Sequence, residues 1–226
     1  MSRLKEEIPK SIEFISCGLI GSSLLRLDIS NNAVNPFGAE ALLKYLSQAS
    51  SLQVLLIYNC GLGAMGTARI AEGLKGTPSL RVLSIGRNRM TDEGILSIAA
   101  HIKYVPLLEE LFVYQNTLKE GLTQLFQNLR QHCKGLVSLD ICDNFVREKA
   151  TLELVHLIKE TLSLRNLNLS DCLNEDENPT VVAGLKVGVH LCRNRRTAVG
   201  SDSATTSHSW MAIWRWNCWK WCGSAP

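Results

Sequence analysis

The sequence predicts an α/β solenoid with a parallel sheet inside and helices outside, and three observations carry that expectation. A frame of the form L-x-x-L-x-L-x-x-[N/C] occurs six times. Its starts, Leu24, Leu52, Leu80, Leu108, Leu136 and Leu164, are 28 residues apart at every step. Between the frames lie apolar residues at helical spacing. A strand and a helix repeated at a fixed period cannot bury their apolar faces alone, so the units stack into a curved array.

The elements follow in order. A first helix opens at Ile8-Pro9, where proline suits the first turn because its missing N–H is not needed there. Counting 28 residues back from Leu24 falls before Met1, so that helix belongs to a unit whose strand is mostly missing. Each strand has two alternating apolar positions: Leu27 and Ile29, Leu55 and Ile57, Leu83 and Ile85, Leu111 and Val113, Leu139 and Ile141, Leu167 and Leu169. Alternation is the period of a strand with one buried face. The ninth column reads Asn32, Cys60, Asn88, Asn116, Asn144 and Cys172. These side chains are expected to turn inward and bond backbone groups that the turn leaves unpaired.

Helices are expected around Ala41-Leu42 and Tyr45-Leu46, Ile70-Ala71 and Leu74, and Ile98-Ala99 and Ile102, preceded by Gly38, Gly66 and Gly94. In the fourth unit Leu122, Leu125, Phe126 and Leu129 come one position early, and the loop over 131–135 restores the register. This is a compensated one-residue loop deletion, a change that loops absorb at little entropic cost. The frame resembles that of leucine-rich repeats, and its period resembles the ribonuclease-inhibitor type of horseshoe.

After Cys172 the pattern weakens. Glu175-Asp176-Glu177-Asn178-Pro179 leads into a short apolar stretch over 181–189, and no seventh frame follows. The expected layout is a repeat domain over 1–192 and an unstructured tail over 193–226. A stack without a polar cap exposes its last core face, so this end is expected to fray or self-associate. The tail has a Ser/Thr-rich linker over 201–209 and then all five tryptophans: Trp210, Trp214, Trp216, Trp219 and Trp221. Three readings of it stand open. It is a membrane-interface segment, a metal site using Cys218 and Cys222, or sequence foreign to the family, such as read-through or a frameshift. The break in composition favours the last.

Composition bounds the function. Apolar residues at 46% and charged residues at 20% fit a globular protein rather than a disordered one. The net charge is +3, but Arg193, Arg195, Arg196, Arg215 and Lys220 stand against Asp202 in the tail alone. The body is therefore near neutral and lacks the basic face that nucleic acid requires. No stretch is long and apolar enough to span a bilayer, and Glu6-Glu7 occupies the place of a signal peptide's apolar run. The eight cysteines show no metal-ligand or disulfide spacing before the tail, as expected of reduced cysteines in the cytosol. No Gly-x-x-x-x-Gly-Lys-[Ser/Thr] phosphate loop is present, and His101, His132, His156 and His190 pair with no nucleophile. No cofactor, no metal and no active site of its own is expected.

On a repeat surface, function sits in the columns outside the frame. The eighth column, at the strand exit, reads Asn31, Asn59, Arg87, Gln115, Asp143 and Asp171, and one step back from Asn31 lies Arg3. It is polar throughout and turns from basic or amide to acidic. A charged protein partner suits such a rim, although strand exits are polar in any case.

Several blocks now become specific: Arg3-Leu4-Lys5-Glu6-Glu7-Ile8-Pro9, Leu27-Asp28-Ile29-Ser30-Asn31-Asn32-Ala33, Asn59-Cys60-Gly61-Leu62-Gly63, Gly86-Arg87-Asn88-Arg89-Met90, Gln115-Asn116 and Leu167-Asn168-Leu169-Ser170-Asp171-Cys172-Leu173. Together they resemble the Ran GTPase-activating protein family (RanGAP) over roughly residues 3–175. The resemblance implies binding to Ran in its GTP form, with a Ran-binding protein as a further partner. It implies stimulated hydrolysis through Ran's own catalytic glutamine, without an inserted arginine finger. It also implies work in nucleocytoplasmic transport, in the cytoplasm or at the cytoplasmic face of the nuclear pore. By resemblance Asn59 lies against Ran's active-site region, Arg3 is required for activity and Lys5 is an interface lysine. Arg87 and Arg89 are supporting contacts, and Asn31, Gln115, Asp143 and Asp171 are further rim contacts. The family has more repeats on both sides and an acidic stretch, so the resemblance implies a chain truncated at both ends. The competing expectations are a protein-interaction scaffold and an inactive fragment of the activator.

Overall fold

The computed structural model describes residues 7–172, and within them the strand-helix alternation is regular. The order is α1 (Glu7–Leu19), β1 (Arg26–Asp28), α2 (Asn35–Leu46), β2 (Val54–Leu56), α3 (Gly63–Gly73), β3 (Val82–Ser84), α4 (Thr91–His101), β4 (Glu110–Phe112), α5 (Gly121–His132), β5 (Ser138–Asp140), α6 (Glu148–Glu160) and β6 (Asn166–Asn168). Short 3-10 turns, Leu74–Gly76 and Ile102–Tyr104, extend α3 and α4. The six strands form one parallel sheet in sequential order. Leu27 pairs with Leu55, Leu55 with Leu83, Leu83 with Leu111, Leu111 with Leu139 and Leu139 with Leu167, so each unit repeats its predecessor one strand over.

One face of the sheet packs on the helices. Leu55, Leu83 and Leu111 are fully buried there with Ile70, Ile98, Leu125 and Phe126 from the helices. Towards both ends of the described residues the cover thins: Leu24, Ile29, Leu164, Leu167 and Leu169 are only partly buried. Helices of successive units lie close together, and the glycine column explains how. A Cβ on Gly66 would come within 3.1 Å of the Pro36 Cα in α2, one on Gly94 within 3.2 Å of the Thr67 Cβ in α3, and one on Gly121 within 2.5 Å of an Ile95 methyl in α4.

The loop deletion in the fourth unit is visible as Gly121, which stands one position earlier than Gly38, Gly66 and Gly94 require. The shortened turn has a replacement anchor. Asp92, in the first turn of α4, accepts the backbone N–H groups of Lys119 at 2.8 Å, Gly121 at 3.0 Å and Glu120 at 3.2 Å. A carboxylate at a helix N-terminus satisfies donors that the helix itself leaves unpaired. On the helical side Arg130 bridges α5 to Glu153 and Glu160 of α6.

The ninth column turns inward as expected from Cys60 onward, whereas Asn32 of the first unit is exposed although it bonds its own turn at Ile29 O and Ser30 O. Asn88 is fully buried, and its Nδ2 donates to the carbonyls of Ile57 at 2.8 Å, Ile85 at 3.0 Å and Gly86 at 3.1 Å. Its Oδ1 accepts from the N–H of Cys60 at 2.9 Å and of Leu62 at 3.4 Å. Asn116 and Asn144 repeat this pattern one unit further along each time. The two cysteines do half of the job, since a thiol donates but has no strong acceptor to match an amide oxygen. Cys60 Sγ donates to Ile29 O at 3.3 Å, and Cys172 Sγ to Ile141 O at 2.9 Å. Cys17, Cys60, Cys133, Cys142 and Cys172 are free thiols. The proposed boundary at 192/193, the tail with Cys218 and Cys222, and His190 lie outside the described residues.

Candidate functional site

The eighth column forms one continuous rim at the strand exits. Its backbone is fixed: the N–H of Asn31 bonds Tyr58 O, that of Asn59 bonds Gly86 O, and that of Arg87 bonds Tyr114 O, at 3.0, 3.0 and 2.9 Å. Gln115 and Asp143 continue the ladder at 2.8 Å each, to Cys142 O and Ser170 O. Their side chains, with that of Asp171, are exposed. Adjacent rim residues sit on adjacent strands, about 5 Å apart by the spacing of a sheet. Arg3 and Lys5 lie outside the described residues.

All six rim residues have positive φ, between 53° at Gln115 and Asp171 and 59° at Asn31. Only a few residue types adopt the left-handed region without strain, chiefly glycine, asparagine and aspartate. The polarity of this column therefore has a backbone cause as well as any functional one. Asn31, Asn59, Asp143 and Asp171 fit the conformation, whereas Arg87 and Gln115 do not.

The third unit concentrates the misfit. Arg87, Arg89 and Thr91 all have positive φ, at 54°, 52° and 57°. The equivalent positions of the second unit hold Asn59, Gly61 and Gly63, which tolerate the same turn. Strain of this kind persists where a side chain is wanted for something other than its backbone fit. Arg89→Gly is expected to raise stability by about 1 kcal/mol in urea unfolding, because glycine removes the left-handed penalty. A loss of stability would mean that the arginine makes a structural contact. Among the described residues neither Arg87 nor Arg89 has an ion pair, and Asp92, a neighbour suited to one, is engaged instead with the start of α5.

Asn59 is not turned onto its own loop. Its Nδ2 donates to Asn31 Oδ1 at 2.9 Å, and Asn31 Nδ2 donates to the Tyr58 hydroxyl at 3.4 Å. Tyr58 stands on the open face of the sheet, which the sequence reading passed over. That face carries Val54, Leu56, Tyr58, Val82, Phe112 and Tyr114, all half-buried. The Tyr114 ring lies directly over Gly86, where a Cβ would meet it at 2.5 Å. Burial raises the Tyr114 phenol's pKa, Tyr58 and Asp140 act in the same direction, and the positive charge of Arg87 opposes them. Towards β5 and β6 the face turns acidic. The Cys142 thiol is pushed up to about 12, first by burial and then by Asp140, Asp143 and Asp171. Burial raises the Cys133 and Cys172 thiols to about 12 as well, so none of the three is a thiolate nucleophile near neutral pH. The signal for this face was in the sequence: it is the set of strand positions that alternate with the buried leucines.

Residues 22–43 and 77–99 match the family model described as Leucine Rich repeat. The chain is a leucine-rich repeat solenoid. Over 65 residues it is 43% identical to the Ran GTPase-activating protein of Drosophila melanogaster, a match covering 27% of this chain and 11% of that protein. It is also 43% identical over 65 residues to Ran GTPase-activating protein 2 of Caenorhabditis elegans, covering 27% of this chain and 7% of that one. The matched segment is thus a small part of each relative's length. Among solved structures, leiomodin-1 actin-binding site 2 aligns at a TM-score of 0.47 with 14% identity, over 88% of this chain and 96% of that chain. The tropomodulin C-terminal domain of Caenorhabditis elegans aligns at 0.45 with 14% identity, over 84% and 99%.

Among the described residues no helix of this leucine-rich repeat protein is long and apolar enough to cross a membrane.

Proposed function

We propose that this solenoid binds the small GTPase Ran in its GTP form through the rim of its first three units and stimulates Ran's GTP hydrolysis. The observation that carries the reading is the 43% identity over 65 residues to proteins named as Ran GTPase-activating proteins. Phosphoryl transfer needs little covalent help beyond placing the water and stabilising charge, so an activator without an active site can still accelerate it. In this reading Asn59 faces Ran's active-site region and orders Ran's own catalytic groups. Arg87 and Arg89 contact the GTPase from the next strand, at the strained turn. Arg3 and Lys5 are assigned by resemblance alone. The reading carries an expectation of work in the cytoplasm or at the cytoplasmic face of the nuclear pore.

A second reading, a non-catalytic interaction scaffold, is favoured by the left-handed backbone, which accounts for most of the rim's amide and acidic side chains without a partner. Single-turnover hydrolysis by Ran·GTP separates the two, with the full chain, Asn59→Gly and a Ras-type GTPase as control. Glycine is the replacement of choice because φ at Asn59 is 54°. Acceleration specific to Ran and reduced about 100-fold by Asn59→Gly is expected, on the scale of a lost positioning contact. A folded protein that gives no acceleration, or one in which Asn59→Gly changes nothing, would overturn the activator reading.

A further inference from the structure

We infer that Asn31 and Tyr58 are positioning residues: they hold the Asn59 amide in one orientation, with its Oδ1 presented outward as an acceptor. The inference rests on the reading of Asn59 given above and extends it to two side chains that need not touch the partner.

The geometry is a short relay across two strands. The rim backbone of both asparagines is locked to the next unit, Asn31 N–H to Tyr58 O and Asn59 N–H to Gly86 O, each at 3.0 Å. With both backbones fixed and adjacent, the side-chain amides meet. Asn59 commits an Nδ2 hydrogen to Asn31 Oδ1 at 2.9 Å. Asn31 in turn commits its own Nδ2 to the Tyr58 hydroxyl at 3.4 Å, which keeps its oxygen turned towards Asn59. Tyr58 is itself restrained: its backbone N–H donates to Ser30 Oγ at 3.3 Å, and its ring stands half-buried on the open face. An amide has two donors and one acceptor at opposite corners, so fixing one donor sets where the acceptor points. An exposed asparagine without such a partner samples several rotamers and must be ordered at the moment of binding. A preordered acceptor avoids that loss in the step where a donor on the partner has to be aligned.

No other adjacent pair in the rim has this arrangement among the described residues. The next position is Arg87, which has no acceptor to return, and beyond it Gln115, Asp143 and Asp171 make no side-chain hydrogen bond to one another. The relay is therefore a property of the first two units, where the resemblance puts the asparagine that lies against Ran's active-site region.

The test compares Asn31→Gly, Asn31→Asp and Tyr58→Phe with Asn59→Gly in the full chain. All three Asn→Gly/Asp changes suit the left-handed backbone, so the fold is kept and melting curves serve as the check. In Ran·GTP hydrolysis, Asn31→Gly is expected to lower the maximal stimulated rate about 10-fold while the half-saturating concentration stays put, as loss of alignment without loss of contact does. Asn31→Asp retains the acceptor for Asn59 Nδ2 and is expected to stay within about 3-fold of the parent protein. Tyr58→Phe removes the second link only and should fall between the two. Independently of activity, the Asn59 side-chain amide signals in a 15N-resolved NMR spectrum should move and exchange faster with water in Asn31→Gly, but not in Tyr58→Phe to the same degree.

An unchanged rate in Asn31→Gly, with Asn59→Gly inactive, overturns the positioning role while the activator reading stands. A raised half-saturating concentration with an unchanged maximal rate makes Asn31 a direct contact instead, which also overturns it. If the parent protein gives no stimulation at all, the activator reading fails and the role in catalysis fails with it. The amide signals still report whether the Asn31–Asn59 pair exists, and their indifference to Asn31→Gly overturns the geometry itself.

Discussion

Replacing Asn88 with alanine is expected to destabilise the solenoid by about 4 kcal/mol, a loss at the upper end for a single substitution. The side chain is fully buried and serves three carbonyls and two N–H groups. Alanine leaves those groups where water does not reach them, and an unsatisfied buried donor or acceptor costs about 1–3 kcal/mol. The groups belong to two units, with Cys60 and Leu62 on one side and Ile85 and Gly86 on the other, so the damage falls on the joint between them. In a stack stabilised by nearest-neighbour contacts, a weakened joint also uncouples the halves. Asn88→Cys is expected to cost about half as much, because the thiol keeps a donor but offers no comparable acceptor. The chain already uses this weaker device at Cys60 and Cys172, near the two ends of the ladder. Urea unfolding followed by circular dichroism checks the order: parent, then Asn88→Cys, then Asn88→Ala. Equal midpoints for parent and Asn88→Ala would show that the inward amide is not what holds the units together.

That column was legible in the sequence because its requirement is local and repeats every 28 residues. The recurring glycine was legible for the same reason, as was its early arrival as Gly121, although Gly38, Gly66 and Gly94 stand within the first turn of α2, α3 and α4 rather than before them. The rim was legible as a polar row, yet its cause was not. Polarity alone does not distinguish a residue chosen for a left-handed turn from one chosen for a partner, and Asn31 and Asn59 satisfy both. Only the backbone φ values separate Arg87, Arg89 and Thr91, which fit the turn poorly, from the asparagines that fit it well. Asp92 shows the other limit. Its charge and its place in the chain suit it to pair with Arg87 or Arg89, whereas it caps the start of the next unit's helix, 27 to 29 residues further on. The Asn59–Asn31–Tyr58 relay needed coordinates for a similar reason, since it depends on which way two amides turn.

Gly76→Ala is expected to cost about 3 kcal/mol or more, although its backbone lies outside the left-handed region and alanine has no conformational objection to it. The obstacle is the neighbouring unit. A Cβ at Gly76 would overlap the Ser47 carbonyl carbon, the Ser47 carbonyl oxygen and the Leu46 carbonyl oxygen, all of them backbone atoms at the end of α2. A side chain in the way swings aside, but a backbone at the end of a packed helix moves only with the helix. Gly73, one turn earlier, faces the same residue from a gentler side, where a Cβ would come within 2.7 Å of the Leu46 Cβ. Gly61 supplies the contrast, with φ at 65° and nothing within 4 Å of an added Cβ. Gly61→Ala is therefore a purely conformational change, worth about 1 kcal/mol. The expected ranking in urea unfolding is Gly76→Ala well above Gly73→Ala, with Gly61→Ala least. Shortening Leu46 to alanine should do little for Gly73→Ala, because the atom nearest the added Cβ is the Leu46 Cβ, which alanine keeps. Trimming Ser47 to glycine should leave Gly76→Ala as damaged as before. Rescue of Gly76→Ala by Ser47→Gly would show that the contact between α2 and the end of α3 is made by side chains, and that the close backbone approach is not what demands this glycine.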